Sequence, residues 1–144
     1  MEKISSILAR KGGGAVSVTP GTSVLEALKI MADKNIGSVV VIDQGRYLGI
    51  VSERDYSRKV MLKGKHSSDT PVSEIMSAGL PALSPGDSID QCMTLMTQHN
   101  IRYLPVFEAG QLVGIISMSD VVKATILAQK ETINQLENYI HRQS

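Results

Sequence analysis

The strongest constraint on this chain is an internal duplication. Residues 18–56 (VTPGTSVLEALKIMADKNIGSVVVIDQGRYLGIVSERDY) align without a gap with residues 83–121 (LSPGDSIDQCMTLMTQHNIRYLPVFEAGQLVGIISMSDV), at an offset of 65, with 12 of 39 positions identical. Average residue usage would give roughly two or three matches by chance. The identities fall where backbone geometry or polar chemistry is demanding: Pro20/Pro85, Gly21/Gly86, Asn35/Asn100, Gly45/Gly110, Gly49/Gly114, Ser52/Ser117 and Asp55/Asp120. A period that occurs only twice points to a closed pseudo-symmetric pair and away from a solenoid. Half of the 144 residues would be marginal alone, so the copies are expected to share one core.

Periodicity and punctuation outline the repeat. Ile4, Ile7 and Leu8 recur at helical spacing and predict a short amphipathic helix over residues 2–10, broken by Gly12-Gly13-Gly14. Residues 15–18 form a strand candidate, Pro20-Gly21 a turn, and Thr22 or Ser23 a cap for a helix that buries Val24, Leu25, Leu28, Ile30 and Met31 and stops near Asn35. The β-branched run 38–42 predicts a strand covered on both faces. Asp43-Gln44-Gly45 turns it into a second strand, 46–51, in which Gly49 marks a bulge or a close backbone approach. A helix then runs from Ser52 to about Leu62.

The polar stretch 63–70 is the best candidate for a mobile connector. A helical turn at 71–76 and a linker at 78–81 follow it. The second copy repeats the order, and its last helix overruns to about His141, with Ile126, Ile133, Leu136 and Ile140 on a narrow stripe. That stripe suits a partner helix in a homodimer, although Gln129 and Gln143 interrupt it; the alternative is a solvated tail lying on its own domain. By chain order, residues 1–78 make the first repeat with its N-terminal helix and connector, and residues 79–144 the second with its long C-terminal helix.

Composition narrows the function. A net charge of +1 gives no electrostatic reason to expect nucleic acid or an anionic membrane, and one Phe, four Tyr and no Trp leave little for base stacking. The single Cys92 excludes a disulfide framework and reads as a buried, inert thiol. There is no apolar signal core at the start and no run of membrane-spanning length, so a soluble, cytoplasmic protein is expected. His66, His99 and His141 lie on different elements, outside metal spacing. Phosphate-loop, dinucleotide-loop and nucleophile-elbow motifs are missing; no catalytic residue and no metal is assigned.

What remains is a repeated strand-to-helix junction, GIVSERD at 49–55 and GIISMSD at 114–120. Each puts a hydroxyl where a strand becomes a helix and a carboxylate three residues on. Two readings stand side by side. As a capping box, the serine caps the helix and the acid reaches back to a backbone amide. As a binding site, the carboxylate accepts from the paired hydroxyls of a ribose, and the helix N-terminus attracts phosphate.

With these junctions, Val18-Thr19-Pro20, Leu83-Ser84-Pro85, the Asn-Ile pairs at 35–36 and 100–101, and Leu104-Pro105-Val106, the chain resembles a tandem pair of CBS domains, a Bateman module, over residues 15–62 and 80–125. SERDYSRKV, TPVSEIM and HNIRYLPV are more narrowly similar to small stand-alone CBS-pair proteins of bacteria and mitochondria. The resemblance implies an α/β (α+β) fold of two pseudo-symmetric β-α-β-β-α repeats packed through their sheets as one module. It also implies two clefts for adenosine nucleotides such as AMP, ADP, ATP or NAD. Carried over by position, Asp55 and Asp120 hold ribose, and Ser52 and Ser117 sit beside ribose or phosphate. Ser38-Val39-Val40 and Tyr103-Leu104-Pro105 form the adenine slots, and Thr19 and Ser84 supply first-strand hydroxyls.

The clefts should differ. Glu53-Arg54 is replaced by Met118-Ser119, and Arg54 is placed to meet a phosphate. Arg58, Lys59, Lys63 and Lys65 read as solvated. Gly37-Ser38 is replaced by Arg102-Tyr103, which narrows the second cleft, stacks on a base or brings Arg102 to phosphate. The cleft with Asp120 and Arg102 is the one expected to be occupied. The function expected from the resemblance is a non-enzymatic energy or redox sensor acting on a downstream protein. The alternative is a nucleotide-independent structural or interaction module.

Overall fold

Residues with left-handed backbone set the element boundaries. The computed structural model describes residues 2–143. Helix α1 (Ile4–Lys11) stops at Gly12, which has φ 89°. Helix α2 (Val24–Lys34) is capped by Ser23, whose hydroxyl accepts from the Glu26 amide, and ends at Asn35 in the left-handed conformation. Helix α4 (Ile89–His99) copies it, with Ser88 and Gln91 closing a capping box and Asn100 ending it. Asparagine tolerates this conformation better than most residues, which explains why Asn35 and Asn100 recur at one repeat position.

Between these helices lie two hairpins. Strands β2 (Ser38–Asp43) and β3 (Arg46–Ser52) pair antiparallel, and so do β4 (Tyr103–Glu108) and β5 (Gln111–Ser117). The short β1 (Ser17–Val18) joins β2 in parallel. Its counterpart in the second repeat is reduced to one parallel bridge, Leu83 to Val106. Both hairpins shift register at the same repeat position, Val41/Ile42 and Val106/Phe107. Gly49 stands beside the bulge, where the register skips Leu48, and is also a close approach: a Cβ there would lie 2.7 Å from the Ser77 carbonyl oxygen.

Helix α3 (Glu53–Tyr56) begins the segment predicted over 52–62, and Ser57–Met61 continues it as a π-helical turn. The Leu62 amide donates to the Ser57 carbonyl. A short 3₁₀ turn covers Val72–Glu74. Helix α5 (Met118–Gln143) closes the chain. The stretch 63–70, expected as a mobile connector, is tied to the start of α2: the Val24 and Leu25 amides donate to the carbonyls of Thr70 and Ser67. Two of the amides left over at the helix start are satisfied in this way, and Thr70 is buried.

The chain divides into two units, Gly14–Pro81 in one and the residues through Gly13 with those from Ala82 onwards in the other. The helix grouped with the first repeat by chain order therefore belongs with the second. Its cause is burial: Ile4 and Ile7 are 0 % and 2 % exposed and join Leu83, Ile89, Cys92, Met96, Leu104, Val106, Ile116, Val121 and Ala124 in one cluster. The Ile4 and Ser5 amides donate to the carbonyls of Asp87 and Pro85. The first repeat has its own cluster around Val24, Ala27, Met31, Val39, Val41, Val51 and Val60. Each unit thus encloses a hydrophobic cluster of its own.

Candidate functional site

Each strand-to-helix junction folds on itself. In the first repeat the Ser52 amide donates to Asp55 Oδ2 at 2.9 Å, the Asp55 amide donates to Ser52 Oγ at 3.2 Å, and the Ser52 hydroxyl donates to Oδ2 at 3.0 Å. In the second repeat the Ser117 amide donates to Asp120 Oδ2 at 2.8 Å and the Asp120 amide to Ser117 Oγ at 3.1 Å. The reciprocal geometry is that of a capping box, so both acids do the local work that the motif alone demands. The residue that precedes the paired strand contributes at the same point: the Glu53 and Met118 amides donate to the carbonyls of Gly37 and Arg102.

The acids differ in what neutralises them. Asp55 Oδ1 accepts from the Ser77 hydroxyl at 3.3 Å and pairs with Lys59 at 3.0 Å. Lys59, one helical turn on, also donates to the Ile75 carbonyl at 2.9 Å. Sequence reasoning took Lys59 for a solvated charge; an acid four residues earlier, with a side chain only 12 % exposed, holds it in place.

Ala124 stands at the matching position of the second repeat, buried in the core. There the cation comes from the end of α1. Lys11 Nζ lies 2.8 Å from Asp120 Oδ2 and donates to the Ile115 carbonyl at 2.7 Å. Sequence reasoning missed Lys11, which lies 109 residues from its partner; the only hint was its place just before three glycines. Burial acts to raise the pKa of Asp120, but the Lys11 ammonium and the Ser117 amide outweigh it and hold the carboxyl below the usual carboxylate value.

In consequence the two carboxylates are not equally engaged. Asp55 uses both oxygens, whereas the Ser117 amide and Lys11 converge on Oδ2 of Asp120. The two 2.8 Å contacts of Asp120 both fall on Oδ2, and the Ser117 side chain adds a further favourable contact to the carboxylate.

Strand alternation sorts the residues assigned to the adenine slots. Val39 and Leu104 are wholly buried in the helix-side clusters, so only their backbone is placed to recognise a base. Ser38 and Val40, like Tyr103 and Pro105, point to the opposite face, cross-strand from Ser52, Ile50, Ser117 and Ile115. Thr19 is exposed and its hydroxyl lies 3.0 Å from that of Thr22. Ser84 is exposed and its amide donates to Asp87 at 2.8 Å. Both first-strand hydroxyl residues thus shape the turn before a helix. Arg54 is half-buried, whereas Arg102 and Ser119 are exposed. Cys92 is buried, and burial, followed by the nearby Asp120 and Asp87, pushes its thiol up to about 11.

This pair of sheets with a capped acid at each strand-to-helix junction has close relatives. The sequence pattern of the CBS domain matches residues 7–62 and 72–126. The chain is 34 % identical over 146 residues to the mitochondrial CBS domain-containing protein CBSX3 of Arabidopsis thaliana, covering 95 % of this chain and 71 % of the relative. It is 33 % identical to the CBS domain-containing protein YhcV of Bacillus subtilis, over 85 % of this chain and 79 % of that one. A solved structure of a protein with CBS domains from Burkholderia ambifaria superposes with a TM-score of 0.85 at 43 % identity, covering 89 % of this chain and 96 % of the other. The chain belongs to the CBS domain family, as a CBS-pair regulatory module of the kind that is in general non-catalytic. No described helix is long and apolar enough to cross a membrane.

Proposed function

We propose that this module binds an adenosine nucleotide (AMP, ADP, ATP or NAD) at the Asp120 junction, and that occupancy reports energy or redox state to a downstream protein. One observation carries the reading. Asp120 is 13 % exposed in its side chain, and its shortest contacts converge on Oδ2, which leaves Oδ1 the less engaged oxygen. An acceptor already oriented by its own helix cap loses little freedom when a ribose hydroxyl donates to it. The first junction, with both Asp55 oxygens engaged, is the weaker site. Ser117 and the exposed Arg102 and Ser119 are the groups assigned to phosphate on the Asp120 side. Arg54 and Ser52 are their counterparts beside Asp55, and Tyr103, Pro105 and the backbone of Leu104 are the groups assigned to the base at the Asp120 site. Calorimetric titration with AMP, ATP and NAD tests the assignment. Asp120→Asn is expected to weaken binding at least tenfold, and Asp55→Asn much less. Equal affinity in wild type and Asp120→Asn would remove Asp120 from the site.

A second reading is favoured by α5. Ile126, Ile133, Leu136, Tyr139 and Ile140 are all exposed on it, beside an open groove of about 530 Å³ lined by Ile89, Met93, Ala128 and Thr132 among others. In this reading the module pairs with a second copy through α5 and acts without nucleotide. A thermal melt unmoved by any adenosine nucleotide would favour it, because a ligand specific for the native state raises stability by mass action.

A further inference from the structure

The two lysines that neutralise the junction acids are held in different ways. Lys59 sits within the helical segment that Asp55 begins, and its contacts join neighbouring parts of one repeat. Lys11 is the last residue of α1 and reaches Asp120 from outside the repeated sequence. Directly after it come Gly12, Gly13 and Gly14, with φ of 89°, 72° and 71°. The Gly12 and Gly13 amides close α1 on the Leu8 carbonyl, and the ammonium of Lys11 also donates to the Ile115 carbonyl at 2.7 Å, so leaving the acid means exchanging two contacts at the end of one flexible side chain. The lysine side chain is 37 % exposed, which leaves it room to turn.

Its present place is also the place of a competitor. A diol gripping both carboxylate oxygens needs an acceptor site on Oδ2, where Lys11 and the Ser117 amide now converge. An ammonium displaced from a carboxylate by a neutral diol loses its counter-charge, and the nearest replacement in a nucleotide is the phosphate attached to that ribose. A nucleoside offers none.

We propose that Lys11 is the specificity-determining residue of the Asp120 site: it covers the ribose acid when no ligand is bound and transfers to the ligand phosphate on binding, so that the site selects nucleotides over nucleosides. The proposal rests on the nucleotide reading of Asp120 given above. The charge suits this exchange, since an ammonium is a compact point charge that can pair with a carboxylate or with a phosphate.

The test compares AMP with adenosine, by calorimetry on the full chain, in wild type, Lys11→Met, Lys11→Gln and Lys11→Arg, with Asp120→Asn alongside. Wild type is expected to prefer AMP. Lys11→Met and Lys11→Gln should weaken AMP by about tenfold or more, the usual worth of a hydrogen bond to a charged group. Adenosine binding should hold steady or tighten, and Lys11→Arg should keep the preference. Lys11→Gln stands in if Lys11→Met does not fold. A ligand-free readout accompanies these: the Asp120 carboxyl, followed by NMR titration, should titrate at higher pH in Lys11→Gln than in wild type. Should AMP and adenosine respond equally to loss of the lysine charge while Asp120→Asn still abolishes both, the selective role of Lys11 is overturned and the nucleotide site stands. Should wild type bind neither ligand, the nucleotide reading fails and takes the proposal with it.

Discussion

The Ser52 hydroxyl accepts from the Asp55 amide at 3.2 Å while the Asp55 carboxylate accepts from the Ser52 amide, so Ser52→Ala removes one half of a helix cap. Loss of such a cap costs about 1 kcal/mol, and chemical denaturation of Ser52→Ala and Ser117→Ala should each show a loss near that size. The pH dependence of Asp120 carries a definite sign. Its carboxyl is held below the ordinary value in the folded protein, so its contribution is complete above the unfolded pKa of about 4 and drains away as pH falls through the lower folded value. Thermal midpoints measured from pH 6 down to pH 2 should fall less steeply in Asp120→Asn than in wild type. The polar identity of both junctions was legible in the sequence because the spacing of Ser and Asp is local. Their cations were not. Lys59 was overlooked because an exposed helix position usually carries a solvated lysine, and Lys11 because nothing local ties residue 11 to residue 120.

Among the elements, the hairpins and their flanking helices follow the sequence closely, since asparagine and glycine fix where α2, α4 and both turns end. Two departures come from tertiary contacts. The stretch 63–70 looks like a free connector by composition, yet its carbonyls satisfy the first amides of α2. Helix α1 has an amphipathic pattern that fixes which side is buried and says nothing about which repeat covers it. Ile4→Ala should therefore cost about 2–5 kcal/mol, as a fully buried isoleucine does, and hydrogen exchange should show the loss of protection in residues 89–126 and not in 24–60. Gly49 gives a sharper test. Gly49→Ala places a methyl 2.7 Å from the Ser77 carbonyl, and the resulting overpacking should destabilise by about 1–3 kcal/mol. Gly21→Ala, where a Cβ meets nothing within 4 Å, should be milder; urea melts of the two variants make the comparison.

For the molecule as a whole, the outer half of α5 contributes little to either core: Ile133 and Ile140 are 53 % and 64 % exposed. If α5 stays unpaired, Ile133→Glu and Ile140→Glu should leave the thermal midpoint within the small range of ordinary surface changes. If two copies meet along this helix, sedimentation velocity should show the variants as monomers where wild type is a dimer. A second consequence concerns synthesis. Because α1 completes a core whose other members begin at Leu83, this helix is made well before the residues that cover it. The cluster of the first repeat lies wholly within residues 18–76, so that cluster can form before Leu83 is made. Meanwhile Ile4 and Ile7 remain uncovered and open to capture by chaperones. A permuted gene that places residues 2–13 after the C-terminal helix would make that delay disappear, at the cost of a new linker.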